Sequence, residues 1–401
     1  MNELSFLIFS LKELISSAKE MITNNIQIDE YCPNLPDYAI DFSKLEKDFS
    51  EEVQAMSNCM QNPFYHMEGD VWTHTKMVLE ALVSLNGWQK LSIPHQTITF
   101  MASFLHDVGK PSMTRIEDDG KISSRGHGGR GAKIARVLLS EHFPDLSVKT
   151  RESIVQLVKA HAVAPNSFRN DPKRIAIRAS HTTNCLHLYL MATADAMGRR
   201  TEIEDDLKES LNNTELFRMI CEENNCLDVP YKFPSDHTRF FYFKKENVLP
   251  EYEIYDDTKF QVILMAGLPG AGKDHYINNN VNLPIVSLDN IRELMGVKAT
   301  DNQGAVGQEA TERAKIHLRK KESFCFNATS LTLLTRTKLI DLFYRYGAST
   351  QIVYIEPPLS VLHKQNESRK RVVPWDIISK LLYKMDFPTD LECHDLRLFC
   401  S

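Results

Sequence analysis

Apolar residues recur at spacings of three and four positions through the first half of the chain, as in WTHTKMVLEALVSL and GAKIARVLLSEHF. This spacing is typical of amphipathic helices, so the segment from residue 66 to about 200 is predicted to be all-α. The stretch MNELSFLIFSLKELISSAKE shows the same spacing and lacks a small-residue cleavage site. We therefore expect a helix of the mature protein at the start of the chain.

The pattern changes at KFQVILMAGLPGAGKDHYI, where a continuous apolar run meets a glycine turn and then a helical pattern. A buried parallel strand that leads into a helix has this layout. Further strand candidates are LPIVSLD, SFCFNAT and TQIVYIE, with helical patterns between them. The second half is therefore predicted to be an α/β domain with a parallel sheet.

Between the two halves, acidic and aromatic segments indicate a helix near ESLNNTELFRMICEEN and an ordered connector with some strand. A chain of 401 residues exceeds what one hydrophobic core usually supports. The predicted organisation is a helical extension over 1–55, an all-α domain over 56–200, the helix and connector over 201–257, and the α/β domain over 258–401.

Composition narrows the class of protein. No run of about 18 apolar residues occurs, so we expect no membrane association and a cytoplasmic location. The eight cysteines lack CxxC spacing and are interpreted as reduced thiols. A net charge of −6 argues against a broad basic surface that binds long nucleic-acid duplexes. It is compatible with a local basic pocket that binds the end of a nucleic-acid strand.

A glycine-rich loop follows the first strand of the second half and satisfies GxxxxGK. Backbone N–H groups of such a loop surround phosphate oxygens, and its lysine reaches the β and γ phosphates of a nucleotide. Asp274 stands where a serine or threonine usually binds Mg²⁺, and its carboxylate could hold the ion directly or through water. The expected nucleotide-binding residues are Gly267, Leu268, Pro269, Gly270, Ala271, Gly272, Lys273 and Asp274.

Asp289 and Arg292 follow the next strand and lie three residues apart on one helical turn. That spacing can present a base and a cation to one substrate. Asp289 could instead be a helix N-cap, and the basic run from Arg369 to Arg371 could be a solvated face.

Taken in order, GLPGAGKD, SLDNIR, FNATSLT and NESRKRVVP resemble the kinase domain of the polynucleotide kinase family over residues 258–401. The resemblance implies that Asp289 accepts the proton of a 5′-hydroxyl and that Arg292 binds the phosphate just 3′ of the accepting nucleoside. It implies that Arg369 is a lid arginine on the donor phosphates, with ATP or another NTP and Mg²⁺ as cofactors. Gln365 replaces a second lid arginine, so Lys364, Lys370 or Arg371 is expected to contribute.

In the first half, His106-Asp107 is preceded by His74 and followed by Asp195. This H…HD…D order supplies imidazoles and carboxylates suited to a divalent cation. Lys110 lies one turn beyond Asp107 and could neutralise a substrate phosphate. We assign structural roles to His95, His142, His181 and His187 and leave His66 outside the metal set.

These motifs resemble HD phosphohydrolases, and NPFYHMEGDVWTHTKMVLEAL, FLHDVGKP and GHGGRGA are similar to the HD domain attached to some tRNA nucleotidyltransferases. The resemblance implies that His127 and His161 hold a second metal and that Asp107 bridges the pair. Two divalent ions of the Mn, Fe, Co, Ni, Zn or Mg type are then expected, which together bind a phosphate and activate water.

From about residue 55 onward the layout looks like the bacterial and phage fusions of an HD phosphohydrolase with a polynucleotide kinase. That resemblance implies RNA end healing: removal of a 2′,3′-cyclic, 2′ or 3′ phosphate and phosphorylation of a 5′-hydroxyl. Its partners would be single-stranded RNA or DNA ends and an RNA ligase. Three alternatives stay open: an HD domain that hydrolyses free nucleotides, an HD domain that is a non-catalytic scaffold, and a P-loop kinase for a small metabolite.

Overall fold

The computed structural model describes residues 27–169, 171–297, 301–369 and 372–400. The chain divides into two compact units, Met1–Tyr231 and Lys232–Ser401, called here the first and the second unit. The helix predicted in residues 1–20 lies outside the described residues. Within the described ranges, no helix is both long enough and apolar enough to cross a membrane.

The first unit is helical, as the apolar spacing predicted. Two short 3₁₀ helices, Ile28–Tyr31 and Ser167–Arg169, accompany its α-helices. The α-helices are α1 Phe42–Asp48, α2 Ser50–Ser57, α3 Val71–Ser84, α4 Asn86–Gln89, α5 Ile93–Leu105, α6 Lys110–Met113, α7 His127–His142, α8 Val148–Ala160, α9 Val163–Asn166, α10 Pro172–Ser180, α11 Cys185–Met197 and α12 Glu204–Glu223. A two-stranded antiparallel hairpin of β1 Arg115–Ile116 and β2 Ile122–Ser123 is an exception to the all-α prediction.

Helix α5 forms the centre of the first unit, because nearly every residue from Gln96 to Leu105 is buried. Residues before position 56 belong to the same core: the Phe49 ring packs edge-on against Phe104 with their centroids 5.0 Å apart. His106 is the C-cap residue of helix α5 and His161 is the C-cap residue of helix α8, so a histidine lies at the carboxyl end of both helices.

The second unit contains a five-stranded parallel sheet in the order β4-β5-β3-β6-β7. Its strands are β3 Phe260–Ala266, β4 Ile285–Ser287, β5 Phe324–Asn327, β6 Ala348–Glu356 and β7 Asp395–Cys400. The apolar runs predicted the first four. The last, DLRLFC, is a partly exposed edge strand that the search for continuous apolar runs missed, because charged residues interrupt it.

The helices of the second unit are α13 Asp236–Lys244, α14 Lys273–Asn280, α15 Leu288–Leu294, α16 Gly304–Lys320, α17 Leu333–Arg345, α18 Leu359–Glu367 and α19 Trp375–Lys384. The expectation of some strand between residues 201 and 257 is wrong, since α12 and α13 are the regular elements there. Ser235 caps α13 by accepting a hydrogen bond from the Thr238 amide at 3.1 Å, and Phe240 and Tyr242 are buried from that helix.

Candidate active sites

The glycine loop connects the carboxyl end of β3 to the amino terminus of α14. Gly267 has a φ of 142°, and a Cβ there would lie 2.3 Å from the Ile355 carbonyl oxygen, so only glycine fits. Gly270 and Gly272 also have positive φ, 86° and 100°. The loop therefore has the backbone conformation that a phosphate cradle requires.

Lys273 begins α14, and its ammonium donates hydrogen bonds of 2.9 Å to the carbonyls of Gly267 and Leu268. Burial lowers the pKa of Lys273 to about 8, although the negative charges of Asp274 and Asp289 act in the opposite direction. The Asp274 carboxylate accepts a hydrogen bond of 2.8 Å from Asn327, at the end of β5. Asn327 lies in the FNATSLT motif, whose residues had no role predicted from the sequence.

Asp289 and Arg292 form an ion pair on α15. The Arg292 Nε also donates to the side-chain oxygen of Gln303 at 2.8 Å, a contact that spacing could not predict. Ser287 caps α15 by accepting from the Asn290 amide, so the alternative that Asp289 is the N-cap is wrong. The Asp289 side chain is 66% exposed, which leaves its carboxylate open to an incoming group.

Arg369 follows α18, and its positive charge contributes to the low pKa of Lys273. The Arg369 Nη1 atom is buried and makes no hydrogen bond within the described ranges. A buried cationic nitrogen of this kind suits an anionic ligand such as a phosphate. Lys364 and Gln365 lie on α18, whereas Lys370 and Arg371 lie outside the described residues.

In the first unit, the six residues proposed as metal ligands come from five helices or their ends and converge. Two groups of three have ligand atoms within 4.8 Å of one another. The first group is His74, His106 and Asp195, and the second is Asp107, His127 and His161. Their convergence is observed, and their role as ligands remains a prediction.

Three of the four histidines among these six residues are oriented by the same type of hydrogen bond. The Nδ1 atoms of His106, His127 and His161 lie 2.7, 2.7 and 2.8 Å from backbone carbonyl oxygens three residues earlier. A carbonyl can only accept, so each Nδ1 carries a proton, and Nε2 is the atom that offers a lone pair to a cation when the ring is neutral. Ligating histidines commonly use this second hydrogen bond to fix their ring.

The Nε2 atoms of His127 and His161 face one another at 3.0 Å. With both protons on Nδ1, two lone pairs meet there, which a shared cation would stabilise. The His106 Nε2 and the Asp107 Oδ1 are buried without a hydrogen bond among the residues that the structure describes. These orphaned atoms fit a divalent metal bound to nitrogen and oxygen ligands.

Asp107 lies between the two groups. Its Oδ2 is 3.2 Å from His106 Nε2, and its Oδ1 is 3.3 Å from His127 Nε2. Burial raises the pKa of Asp107, but the neighbouring His106 and Lys110 charges outweigh it and hold the pKa well below its usual range. Lys110 Nζ lies 2.6 Å from Asp107 Oδ2 and donates a hydrogen bond of 2.6 Å to Gln61.

Glu68 is a functional candidate that the sequence reading missed. Its Oε1 lies 2.9 Å from His74 Nδ1 and 2.8 Å from His66 Nδ1. Burial raises the pKa of Glu68, yet the contacts with His66 and His74 dominate and lower it below the usual range. The sequence places Glu68 six residues before His74, in the pattern HxExxxxxH of YHMEGDVWTH. A loop carboxylate that supports a metal-ligating histidine can lie at any distance from it in the sequence, so this spacing did not identify Glu68.

Comparison with known proteins bears on the second unit. Residues 262–387 match the model of a family described as an AAA domain. Similar solved structures include an unliganded sugar kinase from Janibacter sp. HTCC2649, with 16% identity, a TM-score of 0.28, and coverage of 35% of this chain and 85% of that one. Another is a gluconokinase from Sinorhizobium meliloti 1021, with 17% identity, a TM-score of 0.26, and coverage of 34% and 81%.

The span that matches the family model contains the glycine loop and four strands of the parallel sheet. The second unit contains a P-loop domain, and the first is a helical region that carries two groups of candidate metal ligands. A P-loop domain of this type implies a bound nucleotide with Mg²⁺.

Proposed function

We propose that the protein heals broken nucleic-acid ends, with RNA as the preferred substrate. The second unit transfers the γ-phosphoryl group of an NTP to a 5′-hydroxyl end. The first unit hydrolyses a 2′,3′-cyclic, 2′ or 3′ phosphate on the opposite end. The observation that carries the proposal is the convergence of two three-ligand groups on Asp107 in a chain that also contains a P-loop.

In the kinase reaction, Asp289 accepts the proton of the 5′-hydroxyl as its oxygen attacks the γ-phosphorus and the NDP leaves. Arg292, whose Nε donates a hydrogen bond to Gln303, binds the phosphate of the acceptor nucleic acid that lies next to the accepting nucleoside. Lys273 and Arg369, whose Nη1 atom is buried, neutralise the donor phosphates. Phosphoryl transfer depends mainly on such positioning and charge stabilisation.

In the hydrolysis reaction, water attacks phosphorus and the bond to one ribose oxygen breaks. Divalent ions held by His74, His106, Asp195, His127 and His161, with Asp107 between them, would supply phosphate binding and water activation. Lys110, held at 2.6 Å from Asp107, supplies a cation for the substrate phosphate. Glu68 keeps the His74 ring in position.

The test uses one RNA that carries a 5′-hydroxyl and a 2′,3′-cyclic phosphate, incubated with ATP and Mg²⁺ or Mn²⁺. Mass spectrometry of the product should show a gain of phosphate at the 5′ end and a loss at the 3′ end. Asp289→Asn should abolish only the first change and Asp107→Asn only the second. Activity on free mononucleotides with none on the RNA would make the first unit a nucleotidase and overturn the end-healing proposal.

A further inference from the structure

The segment between α2 and α3 forms a closed loop of residues 61–69, called here the aromatic loop. The Gln61 amide donates to the Gly69 carbonyl at 2.9 Å and closes the loop. Its far side is fixed by the Met67 amide, which donates to the Arg200 carbonyl at 2.8 Å, and by the Thr201 hydroxyl, which donates to the Phe64 carbonyl at 2.9 Å. The backbone of the loop is therefore held in one conformation.

This fixed backbone presents apolar side chains to solvent. Phe64 is 62% exposed, Met67 is 53% exposed and Tyr65 is 42% exposed. Neither aromatic ring stacks on another ring or on a cation in the described part of the chain. A cluster of large exposed apolar side chains on an anchored loop is a common mark of a binding site.

The aromatic loop is continuous with the candidate metal groups. It contains Glu68, which contacts His74, and Gln61, which accepts the hydrogen bond of Lys110. The His66 ring packs edge-on against the ring of the candidate ligand His74, with their centroids 4.8 Å apart. Phe64 lies only two residues before His66, and two residues span at most about 7 Å. The exposed rings therefore belong to a segment that directly adjoins the first ligand group.

A cation accompanies the rings. The Arg200 amide donates to Glu68 Oε2 at 2.9 Å, so its backbone is fixed beside the aromatic loop. The Arg200 side chain is exposed and forms no ion pair within the ranges that the structure describes. Flat apolar rings beside an unpaired guanidinium match the alternating bases and phosphates of a single strand.

We propose that Phe64 and Tyr65 are a stacking platform for the terminal nucleobase of the strand whose phosphate is hydrolysed, and that Arg200 binds a phosphate of the same strand. This inference rests on the proposed hydrolase function and states which substrates that function accepts. The platform makes the first unit select nucleic-acid ends over phosphoesters without a base, with little preference among bases, because every base has a stacking face.

The test compares two RNAs with a terminal 3′ phosphate, one ending in uridine and the other in an abasic ribose. Phe64→Ala should raise KM for the uridine end by about 5- to 100-fold and leave kcat within about twofold, since stacking contributes binding and not chemistry. It should leave KM for the abasic end unchanged. Phe64→Trp should retain the wild-type KM. Ile116→Ala removes another exposed apolar side chain of the same unit, 77% exposed on β1, and is the matched control.

A second measurement does not depend on turnover. Full-length protein is irradiated with an RNA that carries terminal 5-iodouridine 3′-phosphate, and the crosslinked peptide is identified by mass spectrometry. A crosslink at Phe64 or Tyr65 supports the platform, and a crosslink elsewhere overturns it. Unchanged KM in Phe64→Ala and Tyr65→Ala, with active wild-type enzyme, also overturns it. A wild-type protein that hydrolyses neither RNA contradicts the hydrolase function instead, while the crosslink still decides whether the loop binds a base.

Discussion

The side-chain amide of Asn327 donates a hydrogen bond of 2.8 Å to the carboxylate of Asp274. The residue that replaces the usual P-loop hydroxyl is therefore oriented from the end of the neighbouring strand β5. This arrangement explains how a carboxylate can be tolerated beside nucleotide phosphates: the amide N–H offsets part of its negative charge and fixes its direction.

The first prediction concerns this pair. Asp274→Ala and Asn327→Ala should each raise the Mg²⁺ concentration for half-maximal kinase activity by about 10- to 100-fold, the range typical of lost support to a metal ligand. Asp274→Thr restores the common hydroxyl and should keep the requirement near wild type. Asn279→Ala, on the exposed face of the same helix, is the control. A Mg²⁺ requirement unchanged in both alanine variants would show that Asp274 does not serve the metal.

The second prediction concerns metal content. Because Asp107 faces both ligand groups, Asp107→Asn should lose both divalent ions, whereas His127→Ala and His74→Ala should each lose one. The ions per chain are measured by elemental mass spectrometry after dialysis against Mn²⁺ and then metal-free buffer. His95→Ala, an exposed histidine, should keep the wild-type content. Two ions retained by Asp107→Asn would contradict the bridging position.

Spacing alone predicted the four apolar strands and the helical first unit, because buried strands and amphipathic helices have strong hydrophobic periods. The order of residues indicated His74, His106, Asp107 and Asp195, and the resemblance to HD phosphohydrolases added His127 and His161. None of these signals identified β7, Glu68, Asn327 or Gln303. The three side chains act through another residue across the fold, and no local periodicity encodes such contacts.

The third prediction tests a buried ion pair in the second unit. Arg336 is fully buried and pairs with both carboxylate oxygens of Glu392 at 2.6 and 3.0 Å. Arg336→Ala leaves the Glu392 charge buried and should lower the free energy of unfolding by about 3–5 kcal/mol. The rate of amide hydrogen exchange in peptides from β6 and β7 measures this loss of stability in the part of the sheet near the ion pair.

The control for Arg336 is an exposed pair in the same unit. Lys380 and Asp376 lie 3.2 Å apart on α19, and Lys380→Ala should cost about 0.5 kcal/mol or less. If β6 and β7 were equally protected from hydrogen exchange in Arg336→Ala and Lys380→Ala, the buried pair would not stabilise this edge of the sheet.

The last prediction concerns two half-buried carboxyl groups, Glu52 on α2 and Glu141 on α7. Burial raises the pKa of each to about 7, and the Glu52 charge adds to the effect at Glu141. A carboxyl whose pKa is raised by folding binds its proton more tightly in the folded state. Between the ordinary value of 4.5 and about 7, unfolding therefore releases protons, so stability decreases as pH rises through this window.

Replacing Glu141 with Gln removes the ionisation while keeping the shape of the side chain. The variant should be more stable than wild type by about 1–3 kcal/mol at pH 8 and should show little advantage at pH 4.5, where both carboxyls are protonated in the folded protein. Melting temperatures measured from pH 4.5 to 8 give the difference. Glu80→Gln, at an exposed glutamate of the same unit, should follow the wild-type curve. A constant difference between Glu141→Gln and wild type across the range would contradict the raised pKa, because a group with an ordinary pKa is ionised equally in both states above pH 5.5.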